Sequence, residues 1–392
     1  MSVSASPSAS PSTSPAASPG APPAASPSPA DHNARYSAAT LALTLPGDTL
    51  LYLLLPMFAP QFGVTVAEAG LLLAANRLVR IVGYGWVARF YAARGDRPTN
   101  LLAVAASTIA ALGYATLSGL WLLLPMRLLW GLAFAAQNLS TQTMATTDLH
   151  GASKRNGRSR AIIALGPTLA LPLGALLAEA WGPRAIFFVL IAVALAGFWT
   201  ARRLPSAPHP VPTTRRRLTL PTSLDVWSFL EGFTLDGMFV IGLAYLGKDL
   251  LPGDAVLAAA LLMALRYFCE IVLAPIGGHM AERLGAERLL VSLSLLTALV
   301  LVGFGAGWLL SCAAAIVVLR ALQLPLVPPI VARRTPGPAR VQALAARAVW
   351  RDIGAGTGPI AAGLLLPILP TFWIYAVSAA LLSLAALACV RR

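Results

Sequence analysis

The chain has 392 residues, of which 57% are hydrophobic and only 11% charged, with a formal net charge of +14 and a mean hydropathy of +0.73. Soluble domains carry about 25% charged residues, so an ordinary water-soluble fold is excluded, and apolar runs long enough to cross a ~30 Å hydrocarbon core recur along the chain. The basic residues sit in short segments between those runs, where membrane topology places them, and nucleic-acid binding is not expected.

Residues 1–36 are rich in Ser, Ala and Pro, with almost no charge before Asp31. Such a segment cannot bury apolar surface, so a disordered tail is expected. From residue 37 the sequence predicts twelve apolar spans. The first six, about 37–60, 67–89, 98–118, 121–147, 159–180 and 184–201, form an N-terminal bundle over 37–201. The second six, about 223–247, 255–278, 288–307, 309–331, 342–366 and 370–390, form a C-terminal bundle over 223–392. Between them lies a polar linker, 202–222, holding five arginines and five prolines. The expected fold is an all-α polytopic membrane protein, two pseudo-symmetric bundles of six helices.

Charge orients the spans. Twenty Lys and Arg residues fall on the side of the termini and linker, against Arg184 and Lys248 on the other. Both termini and the linker are therefore expected on the cytoplasmic side of a bacterial inner membrane. The halves also share a blurred repeat at a constant offset of 190. Arg80-Ile-Val matches Glu270-Ile-Val, Gly95 matches Gly285, and Thr44-Leu45 with Gly47 matches Thr234-Leu235 with Gly237.

Ionisable residues at membrane depth are costly, about 2.5–3.5 kcal/mol each on insertion scales, and mark ion or substrate pathways or structural pairs. At a rise of 1.5 Å per residue, Asp48, Asp236 and Asp352 lie near the bilayer midplane. Arg80 and Glu270 lie at matched depth in spans 2 and 8, as a pseudo-twofold transporter with a central site requires. Asp48 and Asp236 have no opposite charge within a turn of their own helix, which makes them, with Glu270 and Asp352, the candidates for carrying protons. Arg266 and Glu270, at i and i+4, either neutralise each other or work as a pair. Arg77 and Arg80 share a face and need an anion, a carboxylate such as Asp48, or water. With Arg127, Arg266, Arg320 and Arg351 they are the candidate cavity cations. Of Arg351 and Asp352, adjacent and about 100° apart, one is expected to face the cavity and the other a neighbouring helix. Glu231, roughly 140° from Asp236 on an α-helix, is expected off the cavity face, and Asp225 at a helix end. Gly166-Pro167 in span 5 and Gly358-Pro359 in span 11 are candidate bending points.

The three cysteines, Cys269, Cys312 and Cys389, are scattered through apolar runs, and the four histidines do not pair at ligand spacing. No metal, cofactor or disulfide framework is expected, nor an enzyme's nucleophile–base pair. Several arginines around one cavity suit an anionic or polyhydroxylated small molecule, such as an exported siderophore or other polar metabolite, better than a lipophilic cation.

The run Gly278-His-Met-Ala-Glu282-Arg283-Leu-Gly285, with Arg288, resembles the loop motif of the major facilitator superfamily. In that family the acid and arginine latch neighbouring helix ends on the cytoplasmic side. The copy between spans 2 and 3 is degraded here: Ala88, Ala92 and Ala93 stand where Gly, acid and Arg would fall. Arg127 followed by Gly131 is similar to the family's proton-coupling motif, and Gly166-Pro167 resembles its antiporter motif. The resemblance covers residues 37–390. It implies alternating access by a monomer in the lipid bilayer, with protons driving efflux of a small molecule; import or lipid flipping on the same fold is the alternative.

Overall fold

A computed structural model describes residues 28–209, 221–246 and 255–390. Residues 1–27 of the expected tail, the arginines 215–217, Lys248, Arg391 and Arg392 lie outside the described residues. Twelve membrane-length helical segments follow one another: α1 (Pro29–Met57), α2 (Val66–Arg94), α3 (Asp96–Thr116), α4 (Leu120–Ala145), α5 (Ala152–Trp181) and α6 (Ala185–Arg202), then α7 (Ser223–Leu243), α8 (Ala255–Leu284), α9 (Ala286–Gly305), α10 (Leu309–Arg334), α11 (Arg340–Leu365) and α12 (Thr371–Ala388). No strand occurs among the described residues.

Two helix starts differ most from the sequence expectation. The first helix begins at Pro29 and not at 37, because Ser28 and Asp31 form a capping box and proline occupies the first turn. The fifth begins at Ala152, so Lys154, Arg155 and Arg158 extend the helix beyond its apolar part. Asp225 is a helix-end residue, closing a capping box with Thr222 at the start of α7.

Ten of the twelve segments are both long and apolar enough to cross a membrane by themselves. The remaining two, α2 and α11, hold Arg77, Arg80, Arg347, Arg351 and Asp352, and they pack on each other across the two halves. A polar helix is tolerated at membrane depth when its charges face the bundle interior. The most extensive cross-half contact joins α5 to α8, the same helix pair after exchange of the halves. Trp121, Trp181, Trp308 and Trp373, all exposed, lie at helix ends on the face away from the linker, where amphipathic rings meet the membrane–water boundary. Outward-facing Val82, Leu169 and Leu299 are likewise exposed.

The turns after α2 and α8 are glycine turns. Gly95 and Gly285 both have positive φ, 80° and 89°, which only glycine adopts without strain. They are 190 residues apart, as the repeat requires.

Candidate functional site

A cavity of about 330 Å³ lies between the halves. That is small for a ligand pocket. Its wall carries seven arginines, Arg77, Arg80, Arg160, Arg266, Arg320, Arg347 and Arg351, and five carboxylates, Asp48, Glu231, Asp236, Glu270 and Asp352.

Local irregularities set the carboxylates. α1 is interrupted at Leu45 because Pro46 has no N–H to continue the ladder, and Asp48 follows within a turn. At the repeat-equivalent place α7 changes from α-helix to a π-turn, Gly232–Met238, which contains Asp236. Such i→i+5 turns are rare and concentrate at functional sites.

Each carboxylate has an arginine. Asp48 accepts from Arg127 Nη1 at 2.5 Å and from Asn76 Nδ2 at 3.1 Å, while the guanidinium lies 5.3 Å from the Tyr52 ring centroid. Asp236 is ion-paired with Arg320 and accepts from Arg351 Nη2 at 2.5 Å, and Arg351 Nε donates to Glu231 at 3.0 Å. Asp352 accepts from Arg80 Nη2 at 2.9 Å, and Arg80 stacks over Phe134 at 4.7 Å. Glu270 is held least tightly, 3.8 Å from Arg266 Nε.

Asp48 and Asp236, with no opposite charge on their own helices, take their partners from other helices, which inspection of one helix cannot reveal. Two expectations are corrected. Glu231 is not turned away from Asp236. The π-turn lowers the rotation per residue, so residues five apart return to one face and both bond Arg351. Arg351 and Asp352 do not divide between cavity and neighbour, since both line the cavity, Arg351 toward α7 and Asp352 toward α2. Arg77, Arg266 and Arg320 line the cavity, whereas Arg127 does not; it is fully buried behind Asp48, with Nε donating to the Leu72 carbonyl at 3.2 Å.

Arg160 and Arg347 were the residues missed. Arg160 reads as a loop charge at the edge of an apolar run, and Arg347 lies close to the polar start of span 11. The i, i+4 spacing of Arg347 and Arg351 was the signal that they share a face.

The proline-linked glycines are close-packing positions. A Cβ on Gly358 would fall 2.7 Å from the Gly237 Cα of α7, and Gly166 abuts the Ala42 carbonyl of α1. These are the same helix pairs, 7/11 and 1/5. Both helices continue through Pro167 and Pro359.

On the linker face Glu282 accepts from Ser153 N at 2.9 Å, the second residue of α5, where a helix end favours an anion. Arg333 lies 4.0 Å from the same carboxylate. Gly278 permits the approach, since a Cβ there would lie 2.5 Å from the Ser153 carbonyl oxygen. Arg283 and Arg288 are exposed and have no ion pair among the described residues. In the first half the linker occupies the corresponding place. Arg97 N and Nε donate to the carbonyls of Pro205 and Leu204, and His209 N to that of Ala92. Buried Asp96 bonds Tyr91 and Ser140 at 2.6 Å and His209 Nε2 at 2.8 Å.

The other cross-half hydrogen bonds among the described residues are Arg80–Asp352 in the cavity wall, Asn156 Nδ2 to the Pro325 carbonyl, and Arg340 Nη1 to the Thr146 and Thr147 carbonyls. With Ser153–Glu282, those of Asn156 and Arg340 join the halves on the linker face. None joins the outer helix ends.

Among curated proteins, none matches the sequence significantly. The crystal structure of the human organic anion transporter MFSD10 (TETRAN) matches with a TM-score of 0.74 at 16% identity, over 92% of this chain and 100% of that one. At that identity the likeness is one of fold, and 288 chains of solved structures share it. The family model of the Major Facilitator Superfamily matches residues 38–251 and again 228–392, the two matches starting 190 residues apart. Twelve helical segments in two equivalent halves around a charged central cavity, matched over nearly the whole described chain, identify a multi-pass membrane transporter that belongs to the Major Facilitator Superfamily.

Proposed function

We propose that the protein exports a small organic anion by alternating access, driven by protons moving the other way. The observation that carries this reading is the charge balance of the membrane interior. Eight arginines, the seven of the cavity and Arg127, stand against five carboxylates. Once each carboxylate is matched to an arginine, three positive charges remain. Unpaired buried charge is costly, and an anionic substrate offsets it. The cavity volume fits a small acidic metabolite better than a large siderophore-like molecule. The neighbouring solved structure is described as an organic anion transporter, which accords with this reading; the arginine surplus supports it independently.

For protons, Glu270 is the best-supported carrier. Its arginine contact, at 3.8 Å, is the longest among the cavity carboxylates, so it can exchange that contact for a proton with the smallest loss of hydrogen bonding. Asp48 and Asp352 each hold one arginine at 2.9 Å or less and act in this reading as fixed counter-charges, while Asp236 is shared between Arg320 and Arg351. In this reading the linker face is the cytoplasmic one, from the excess of Lys and Arg there, and the cross-half hydrogen bonds hold that side together. The similarity of Arg127 with Gly131, and of Gly166-Pro167, to family antiporter motifs supports export over import.

The test is proton flux in proteoliposomes, read by a trapped pH dye after addition of a panel of carboxylates and phosphate monoesters. Wild type should move protons with at least one anion, and Glu270→Gln should lose anion-driven flux at least tenfold. Flux driven only by organic cations would overturn the substrate class, and unchanged flux in Glu270→Gln would remove it as carrier.

A further inference from the structure

Arg77, Arg160 and Arg347 are the cavity arginines with no carboxylate within 4 Å among the described residues. Arg160 and Arg347 have a further property. They stand on α5 and α11, the fifth helices of the two halves, at matched depth. Arg160 is the ninth residue of α5 and Arg347 the eighth of α11, counted from the linker face, or about 10–12 Å inward at 1.5 Å per residue. One arginine thus enters the same cavity from each half. Arg347 is 6% exposed, and its Nε is buried without a partner.

The linker-face seal lies next to them. Asn156, one turn from Arg160, bonds the Pro325 carbonyl, and Arg340, two turns from Arg347, bonds the Thr146 carbonyl. Closing this face brings two like charges together. Repulsion across a low-dielectric gap opposes closure, whereas an anion between the two guanidinium groups turns the contact into charge-assisted hydrogen bonding on both sides.

We propose that Arg160 and Arg347 form a two-pronged anion subsite, one prong from each half, that takes the carboxylate or phosphate group of the substrate and, by bridging the halves, favours closure of the linker face. The proposal rests on the reading that the cavity carries an organic anion. It adds the place where the acid group is held and couples its binding to one side of the alternating-access cycle. Arg77, on α2 and one turn further from the linker face than Arg80, is left for a second acidic or polar group at the opposite end. By helix rise the two stations are about 14 Å apart along the axis, which favours a substrate with two polar ends.

Glutarate and phenyl phosphate, titrated into the full-length protein in nanodiscs, separate carboxylate from phosphate recognition. Binding is read by calorimetry, and closure by backbone hydrogen exchange at residues 146–153 and 335–341. Wild type should bind at least one probe and show slower exchange in both segments. Arg160→Gln and Arg347→Gln should each weaken binding tenfold or more and lose the protection, with Arg347→Lys recovering part of both. Arg202→Gln, an exposed position at the end of α6, should behave as wild type. If a glutamine variant fails to fold, judged by size exclusion, the lysine variant at that position and the other glutamine variant are read in its place. Wild-type binding of neither probe would overturn the organic-anion reading and the subsite with it. Wild-type binding with equal affinity in the variants would overturn the subsite alone, whether or not the protection is lost. Tenfold weaker binding with protection unchanged would confine the subsite to recognition and overturn its role in closure.

Discussion

The two halves solve one electrostatic problem in different ways. In each, a carboxylate on the first helix bonds an arginine on the fourth: Asp48 with Arg127, and Asp236 with Arg320. In each, the first helix is irregular at the repeat-equivalent place, at Leu45 in α1 and over Gly232–Met238 in α7. The residues themselves are out of register, since Asp236 minus the 190-residue offset is position 46 and Arg320 is position 130. The N-terminal pair is the more enclosed: Arg127 is fully buried outside the cavity wall, and Asn76 donates to the same Asp48 oxygen as Arg127 does. The C-terminal pair is open, because Arg351 and Glu231 join it and all four side chains line the cavity. A closed pair is a strut, and a network of two acids and two arginines has alternative pairings. The difference assigns structure to the N-terminal pair and conformational exchange to the C-terminal network.

Removing the charge on either carboxylate leaves a buried arginine unpaired, a change that costs about 3–5 kcal/mol in soluble proteins. Asp48→Asn and Asp236→Asn should therefore both reduce thermal stability and transport sharply. The compensated doubles separate the halves. Asp48→Asn with Arg127→Gln should regain most of the melting temperature and most of the transport rate. Asp236→Asn with Arg320→Gln should regain stability while transport stays at least a hundredfold down, because Arg351 loses one of its two acids. Equal recovery of transport in both doubles, measured in proteoliposomes, would erase the distinction.

Two glycines matched by the repeat give a milder comparison. Gly237 faces Gly358, and a Cβ on it would lie 2.5 Å from the Gly358 Cα. Gly47 has nothing within 4 Å of such an atom. Gly237→Ala forces α7 and α11 apart at the π-turn, so it should cost about 1–3 kcal/mol by overpacking and lower transport severalfold. Gly47→Ala should be neutral or stabilising by up to about 1 kcal/mol. Thermal denaturation with a ligand-independent dye reads both, and a silent Gly237→Ala would show that α11 does not need its present contact with α7.

These contrasts explain what the sequence could disclose. The helices and their order were legible because a membrane span is set by length and apolarity, which are properties of one segment. Gly95 and Gly285 were legible because a positive-φ turn demands glycine. The pairing of Asp48 with Arg127, or of Arg80 with Asp352 across 272 positions, depends on how helices pack and leaves no local trace. Glu231 was misplaced for a sharper reason. A rotation of 100° per residue is correct for an α-helix and fails over one π-turn, so a five-residue separation that should diverge converges instead. Arg160 and Arg347 were hidden because their helices run past the apolar core and merge into charged turns.

The smallest expected effect concerns the linker face, where the halves again differ. In the second half Glu282 reaches across to the N-terminus of α5, so it tests contact between halves. In the first half Asp96 is held by Tyr91, Ser140 and His209, so it tests only how the linker seats on its own half. A charge-assisted hydrogen bond at a helix end contributes about 1–2 kcal/mol. Glu282→Gln should therefore speed backbone exchange at residues 151–155 by about tenfold and shift the protein toward the linker-open state. His209→Ala leaves every cross-half hydrogen bond in place, so it should speed exchange near residues 92–97 while leaving 151–155 unchanged. If His209→Ala loosened α5 as much as Glu282→Gln does, the linker would itself be part of the cross-half seal, and the two faces of the comparison would be one device.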